Sequence, residues 1–179
     1  MHRRSLLLGT VPVLLAGSLQ GEDRTESPFS LSIAIGKRMG RQRSLEYRNA
    51  ESHFAVVLRN TSDQPQRVWR EWCSWGYFLL SFVVTDLAGK AVAVRRPARV
   101  WTKNFPDFEE ILPGESLVRD IYFGNDAWES FPRSEKADGN PFKLQAVFSS
   151  PADDQSKEHN VWSGKVVSPT LDIVVYGLT

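Results

Sequence analysis

A period-two alternation of apolar and more polar side chains recurs along this chain and limits the folds that it can adopt. It is clearest in residues 142–148, where every second side chain is apolar and most of its neighbours are polar. Successive side chains of a β-strand point to opposite faces, so this period predicts a strand buried on one face. Residues 29–35, 54–58, 92–94 and 117–123 follow the same pattern. The chain is therefore expected to fold mainly as short strands.

Residues 67–85 are the most aromatic stretch, and we expect the rest of the fold to pack around them. They contain three of the six tryptophans and the single cysteine, Cys73. Residues 78–85 are apolar on both faces of the predicted strand, which is typical of a central strand. The expected core residues are Phe78, Leu80, Phe82 and Phe148. Gly76 argues against a helix just before this strand, so a bend or bulge is predicted near residues 73–76.

Seven to nine short strands separated by turn-forming residues predict an all-β domain. Its expected architecture is a two-sheet antiparallel immunoglobulin-like β-sandwich over residues 29–179. The turn signals are residues 60–65, Gly89 and residues 112–115. Asn60 also begins an N-glycosylation pattern, but we interpret it as part of a turn.

The segment 124–140 has no clear period and predicts a long loop. Trp128 and Phe131 are its expected anchors to the core. The segments 36–43 and 150–160 are interpreted as a basic and a polar loop, respectively.

The amino end has the pattern of an export signal. Arg3 and Arg4 precede an apolar run at residues 6–16, and small residues follow, which predicts a cleavable signal over residues 1–18. The run is too short to span a membrane. The arginine pair also fits a twin-arginine signal, so both export routes stay open. We expect a flexible lead-in at residues 19–28 and a periplasmic or extracellular product without a membrane span.

The charge balance of the chain is close to neutral. Removal of residues 1–18 takes away Arg3 and Arg4 and no acidic residue, so 22 basic and 21 acidic residues become 20 and 21. Nucleic-acid binding depends on clustered cations, so this balance argues against a nucleic-acid partner.

The residues that carry most enzyme chemistry are few and scattered. His53, Cys73 and His159 are isolated in sequence, so we expect no metal and no other cofactor. Cys73 has no partner for an intrachain disulfide and is interpreted as a small buried hydrophobe. The chain contains neither a nucleophile elbow nor a phosphate-binding loop, so we expect no enzyme. A hydrolase using two carboxylates stays open, because their separation cannot be derived from sequence.

The tryptophans are the most specific functional signal in the sequence. Exposed indole rings stack on sugars or fill the pockets of protein partners, and arginines often flank them. The alternative is that the rings close the two ends of the core. The candidate binding residues are Trp69, Arg70, Trp72, Arg99 and Trp101.

The order of these elements supports a family resemblance. Residues 54–62, 77–90, 112–115 and 142–148, followed by a closing strand, resemble immunoglobulin-like or fibronectin-like modules of exported bacterial proteins. Residues 162–168 are similar to the endings of secreted proteins of planctomycete-type bacteria. The same order is similar to the BsuPI-type intracellular proteinase inhibitor domain. These resemblances imply a β-sandwich fold and assign no inhibitory residue.

Together these observations predict a non-enzymatic exported module that binds or supports a protein partner. One alternative is a BsuPI-type proteinase inhibitor that uses an exposed loop, either residues 104–114 or residues 124–140. The other alternative is carbohydrate binding through exposed tryptophans. Two or three coplanar exposed indole rings would favour sugar, and a rigid protruding loop would favour inhibition.

Overall fold

The computed structural model describes residues 27–38, 42–46, 52–124, 127–134 and 136–177. The predicted export signal lies outside these residues, as does most of the predicted lead-in, so both stay predictions. None of the helices in the described ranges has the length and apolar character needed to cross a membrane.

The described residues form twelve strands and two short helices. The strands are β1 (Phe29–Ala34), β2 (Lys37–Arg38), β3 (Gln42–Glu46), β4 (Phe54–Asn60), β5 (Gln66–Trp69), β6 (Leu80–Asp86), β7 (Ala91–Val94), β8 (Phe108–Ile111), β9 (Ser116–Ile121), β10 (Asn140–Ser150), β11 (Gly164–Val167) and β12 (Leu171–Tyr176). The helices are α1 (Ser74–Tyr77) and α2 (Asp154–Glu158). The protein is therefore all-β, as its periodicity predicted.

These strands form three sheets within the described part of the chain. One sheet has the order β1-β4-β9, a second pairs β5 with β8, and the largest has the order β2-β3-β12-β10-β6-β7 with β11 also on β10. The neighbours are antiparallel except β3 and β12, which are parallel. The predicted arrangement of seven to nine strands in two sheets is not confirmed. Part of the difference lies in segment 36–43, because β2 pairs antiparallel with the start of β3 where a loop was expected.

The three-stranded and seven-stranded sheets share a hydrophobic core. Phe54 of β4 meets Phe82 of β6 with ring centroids 5.7 Å apart, and Phe123 lies 5.0 Å from Phe82. Trp128 lies 5.0 Å from Phe82, and Phe131 stacks on Phe123 at 4.3 Å. Both predicted anchors of the segment 124–140 are therefore confirmed.

The stretch before β6 differs from its prediction. Residues 74–77 form one helical turn, in which Gly76 N and Tyr77 N donate to Cys73 O at 3.1 and 3.0 Å. A Cβ on Gly76 would overlap the carbonyl group of Arg70, so the turn uses glycine for a close backbone approach. Because the helical turn precedes β6, the strand begins at Leu80 and Phe78 is left 50% exposed. The predicted core role of Phe78 is wrong, whereas Phe82 and Phe148 are buried.

Asn60 is a fully buried polar residue at the end of β4. Its Nδ2 donates to Gln64 O and Ile111 O, both at 2.8 Å. Its Oδ1 accepts from Ser62 N at 2.9 Å and from Ser62 Oγ at 2.7 Å. Both polar atoms of its side chain thus bind the turn after β4 and the end of β8, which agrees with its interpretation as a turn residue.

Helix α2 was not predicted, since it lies in the segment read as a polar loop. Asp153 Oδ1 accepts from Ser156 N at 2.7 Å, and Ser156 Oγ accepts from Asp153 N at 2.9 Å. This reciprocal capping box explains why a helical turn starts at this point.

Candidate functional site

The structure separates the candidate binding residues into core and surface. Trp69 is only 2% exposed, and its ring meets Trp75 at 5.6 Å and His159 at 5.6 Å. It is the last residue of β5 and turns inward, so its predicted role in a binding surface is not supported. Trp72, three residues later and outside the strand, is 56% exposed. Arg70 and Trp101 are partly exposed, and Arg99 is exposed.

Four of the five candidates lie together with three residues that were not predicted. We call this surface the arginine–aromatic patch. Its members are Arg70, Trp72, Tyr77, Phe78, Arg99, Trp101 and Phe105. Phe105 is 76% exposed. The patch is built by α1, by the residues on either side of it, and by the segment between β7 and β8.

Tyr77 lies at the centre of one half of the patch. Its ring meets Phe78 at 4.8 Å and Trp101 at 5.6 Å, both edge to face. The Arg99 guanidinium lies 4.7 Å from the Trp101 ring centroid and 5.7 Å from that of Tyr77. Cation–π contacts of this kind hold the rings and the charge in a fixed relation.

The other half of the patch is organised by Asp107. The Trp72 Nε1 donates to Asp107 Oδ2 at 2.5 Å, and Arg70 Nε lies 3.7 Å from Asp107 Oδ1. The Arg70 guanidinium also lies 5.0 Å from the Trp72 ring centroid. The polar end of the indole is therefore satisfied within the protein, while more than half of the side chain stays open to solvent.

The segment that carries Phe105 is attached to residues 70–74 on both sides of that residue. Asn104 Oδ1 accepts from Ser74 N at 2.8 Å, and Asn104 Nδ2 donates to Ser74 Oγ at 2.6 Å. Two residues after Phe105, Asp107 O accepts from Arg70 N at 3.0 Å. The ring of Phe105 is thus presented by backbone that is held at both ends.

A set of charged residues connects the patch to the core. Glu71 Oε2 accepts from Arg96 at 3.2 Å and lies 3.8 Å from Arg119 Nε. The Arg96 guanidinium lies between two rings, 5.2 Å from Tyr77 and 4.8 Å from the buried Trp128. These contacts fix Tyr77 relative to the core.

Residues 90–103, which include β7 and most of the segment after it, also carry excess positive charge. They contain five basic residues and no acidic residue. Among the described residues, Arg96 is the one of the five for which an ion pair with a carboxylate is found. Arg99 and Lys103 are exposed, so the patch has a positive border.

A groove of about 290 Å³ opens beside the patch. Its lining consists of Trp69, Ser74, Trp75, Phe78, Leu79, Ser149, Pro151 and Asp153. Phe78 belongs to both features, and Ser74 of the groove binds Asn104, the residue before Phe105. The two surfaces are therefore adjoining.

Within the described residues, the Cys73 thiol and the imidazoles of His53 and His159 contact other groups rather than one another. Cys73 Sγ donates to Arg70 O at 3.1 Å. His53 Nδ1 lies 2.8 Å from Asp120 Oδ2, and its ring stacks on Tyr122 at 4.9 Å. No group of three or more histidine, cysteine, aspartate or glutamate residues that could hold a metal is found among the described residues.

Sequence reasoning missed Tyr77, Phe78 and Phe105. The first two were assigned to the start of a strand, because a period of two cannot reveal a helical turn of four residues. Phe105 precedes a proline in a segment that lacks strand periodicity. An aromatic residue in such a segment was the one sequence feature that could have indicated an exposed ring.

No protein-family model matches this chain, and a search of curated proteins finds no significant match. The resemblance to exported immunoglobulin-like modules and to the BsuPI-type domain stays a prediction. The geometry of the patch is therefore the main guide to function.

Proposed function

We propose that this chain is an exported, non-enzymatic, immunoglobulin-like β-sandwich module that binds a protein partner through the arginine–aromatic patch. The observation that carries the proposal is the joint exposure of Trp72, Phe78 and Phe105 beside Arg99. Tryptophan, tyrosine and arginine dominate the binding energy of protein interfaces. The core shared by the two larger sheets supports the sandwich, and residues 1–18 support export.

The patch is also arranged in advance of binding. The Trp72 indole is hydrogen-bonded to Asp107, Trp101 packs against Tyr77 and Arg99, and Asn104 fixes the backbone next to Phe105. Ordering a mobile side chain at an interface costs about 0.5–1.5 kcal/mol. A partner therefore meets rings that have already lost much of their freedom, which favours binding.

The tryptophans favour a protein over a carbohydrate. Among the described residues, Trp72 is the one tryptophan that is largely exposed to solvent, and Trp101 is partly covered. One indole ring does not provide the platform of two or three coplanar rings that would favour sugar. Apolar groups of the patch such as Phe105 match the apolar side chains of a protein partner better.

Proteinase inhibition of the BsuPI type is the second candidate. The observation in its favour is the segment at residues 104–107, which presents Phe105 from a backbone held by Ser74 and Arg70. An inhibitor loop needs such rigidity, because a fixed loop loses little entropy in the cleft of a protease.

Photo-crosslinking in the native host tests the proposal. A benzoylphenylalanine replaces Trp72 in one variant, Phe105 in a second, and Leu87 in a control. Leu87 is 79% exposed and follows the far end of β6. We expect one polypeptide to be crosslinked from positions 72 and 105 and not from position 87.

The crosslinked partner is then purified and its affinity measured by calorimetry. Trp72→Ala should weaken binding at least tenfold, and Leu87→Ala should leave it unchanged, because interface tryptophans are commonly hot spots. A partner that is a protease inhibited by the wild-type chain would favour the second candidate. The absence of any adduct, or equal crosslinking from position 87, would contradict the proposed function.

A further inference from the structure

The groove beside the patch combines aromatic walls with a single carboxylate. Trp75 and Phe78 contribute partly exposed and exposed rings to the lining, which also includes the largely buried Trp69, whose ring lies 5.6 Å from that of Trp75 with a tilt of 31°. Asp153 is the only ionisable residue of the lining. Aromatic rings attract cations through their electron-rich faces, and a nearby carboxylate adds direct attraction.

The charge of Asp153 has no cationic partner among the described residues. Its Oδ1 accepts the capping hydrogen bond from Ser156 N, and no described side chain donates to Oδ2. The next carboxylate on the same helix differs, since Asp154 lies 3.6 Å from Lys157 Nζ. A carboxylate that borders an apolar surface without a counter-charge favours a cationic ligand.

We propose that this groove receives a lysine or arginine side chain of the protein partner. The inference rests on the proposed function. It specifies in addition that the side chain inserted by the partner is positively charged. A cationic side chain packs its methylene groups on the rings and brings its charge to Asp153. An apolar side chain fills the same space but removes water from the carboxylate without replacing that interaction. The volume of about 290 Å³ is at the small end of ligand sites and suits one side chain.

Small-molecule probes test the charge preference without any partner. The full chain is titrated with N-acetyl-arginine methylamide and, separately, with N-acetyl-citrulline methylamide, in which a neutral urea replaces the guanidinium. Binding is followed by NMR through the indole N–H signal of Trp75, assigned with Trp75→Phe. We expect saturable binding of the arginine probe and at least fivefold weaker binding of the citrulline probe. Methyl glucoside should not bind.

Two matched variants of helix α2 assign the preference to one carboxylate. Asp153→Asn removes the charge and keeps the helix cap, because asparagine caps about as well as aspartate. Asp154→Asn removes a charge of the same helix that points to solvent. The first variant should weaken the arginine probe at least fivefold, and the second should leave it unchanged. Circular dichroism checks that both variants are folded.

The results separate this inference from the proposed function. Equal affinity for the two probes, no binding of the arginine probe, or an unaffected Asp153→Asn variant would overturn the cation preference, whatever the crosslinking experiment shows. If the arginine probe binds as expected and no crosslinked partner exists, the protein-binding function fails. The inference that the cation belongs to a protein partner then fails with it.

Discussion

Asn60 offers the sharpest test of how the turns are joined to the sheets. It is fully buried, and its amide group contacts the end of β8 and the turn that leads into β5. Replacing it by alanine removes these contacts. Replacing it by aspartate keeps the acceptor for Ser62 and turns the donor that faces Gln64 O and Ile111 O into an oxygen.

The magnitude follows from the number and burial of the lost bonds. Two amide donations contribute about 1 kcal/mol each, and a buried carbonyl left without a donor costs on the order of 1–3 kcal/mol. The bond to Ile111 O is buried, whereas Gln64 O is partly buried and can be hydrated. We therefore expect Asn60→Ala to lower the free energy of unfolding by roughly 3 kcal/mol. For a chain of this size that lowers Tm by roughly 6–12 °C.

The aspartate variant adds a dependence on pH. Burial and two facing carbonyl oxygens disfavour the ionised form, so the pKa of the introduced carboxyl is raised above the unfolded value of about 3.9. Above that pH the unfolded state has lost a proton that the folded state retains. Stability relative to wild type therefore falls as the pH rises from about 4 to 7. At pH 4 the protonated carboxyl still donates one hydrogen bond, so the variant is closer to wild type there.

Urea unfolding at pH 4, 5, 6 and 7, followed by far-ultraviolet circular dichroism, measures these effects. Asn60→Ala is the matched control, since its difference from wild type should not change with pH. A pH profile of Asn60→Asp parallel to that of wild type, or a loss of less than about 1 kcal/mol in Asn60→Ala, would refute the reasoning.

Two further predictions concern α1 and the patch. Gly76→Ala should destabilise the protein by about 1–3 kcal/mol in urea unfolding, because its Cβ overlaps the Arg70 carbonyl, although alanine is the better helix former. Gly36→Ala, with nothing within 4 Å of its Cβ, should stay within about 0.5 kcal/mol of wild type, and equal stability of both variants would contradict the packing argument. Trp72→Phe should reduce the iodide-quenchable fluorescence markedly, whereas Trp128→Phe should not, because Trp128 is buried.

The sequence predicted the strands well wherever one face of a strand is buried. Residues 54–60 and 144–150 alternate between buried and less buried positions, and the turns at Gly89 and Gly114 have the positive φ that their glycines indicated. The parallel pairing of β3 with β12 could not be predicted, because it joins segments about 130 residues apart. Strand β3 contains only one apolar residue, Leu45, so its sequence gives no periodic signal.

Sequence reasoning named some residues of the patch but not all of them. Arg70, Trp72, Arg99 and Trp101 are partly or fully exposed, whereas Trp69 is buried, although it belongs to the same series of tryptophans spaced by three. The difference depends on where β5 ends, because Trp69 is the last residue of the strand and Trp72 lies beyond it. Element boundaries are the least reliable part of a sequence prediction.

The contrast between Trp69 and Trp72 also explains how this fold tolerates an exposed indole ring. The Trp69 side chain is buried in the core, whereas Trp72 Nε1 donates to Asp107 at the surface. Because that hydrogen bond is made within the protein, a partner that covers the Trp72 ring leaves no new polar group unsatisfied. The positive border of Arg99 and Lys103 then favours acidic groups around the contact. Next to Arg99 and Lys103, the partner surface that fits the proposed contact is therefore acidic, in contrast to the cationic side chain proposed for the groove on the other side of Phe78.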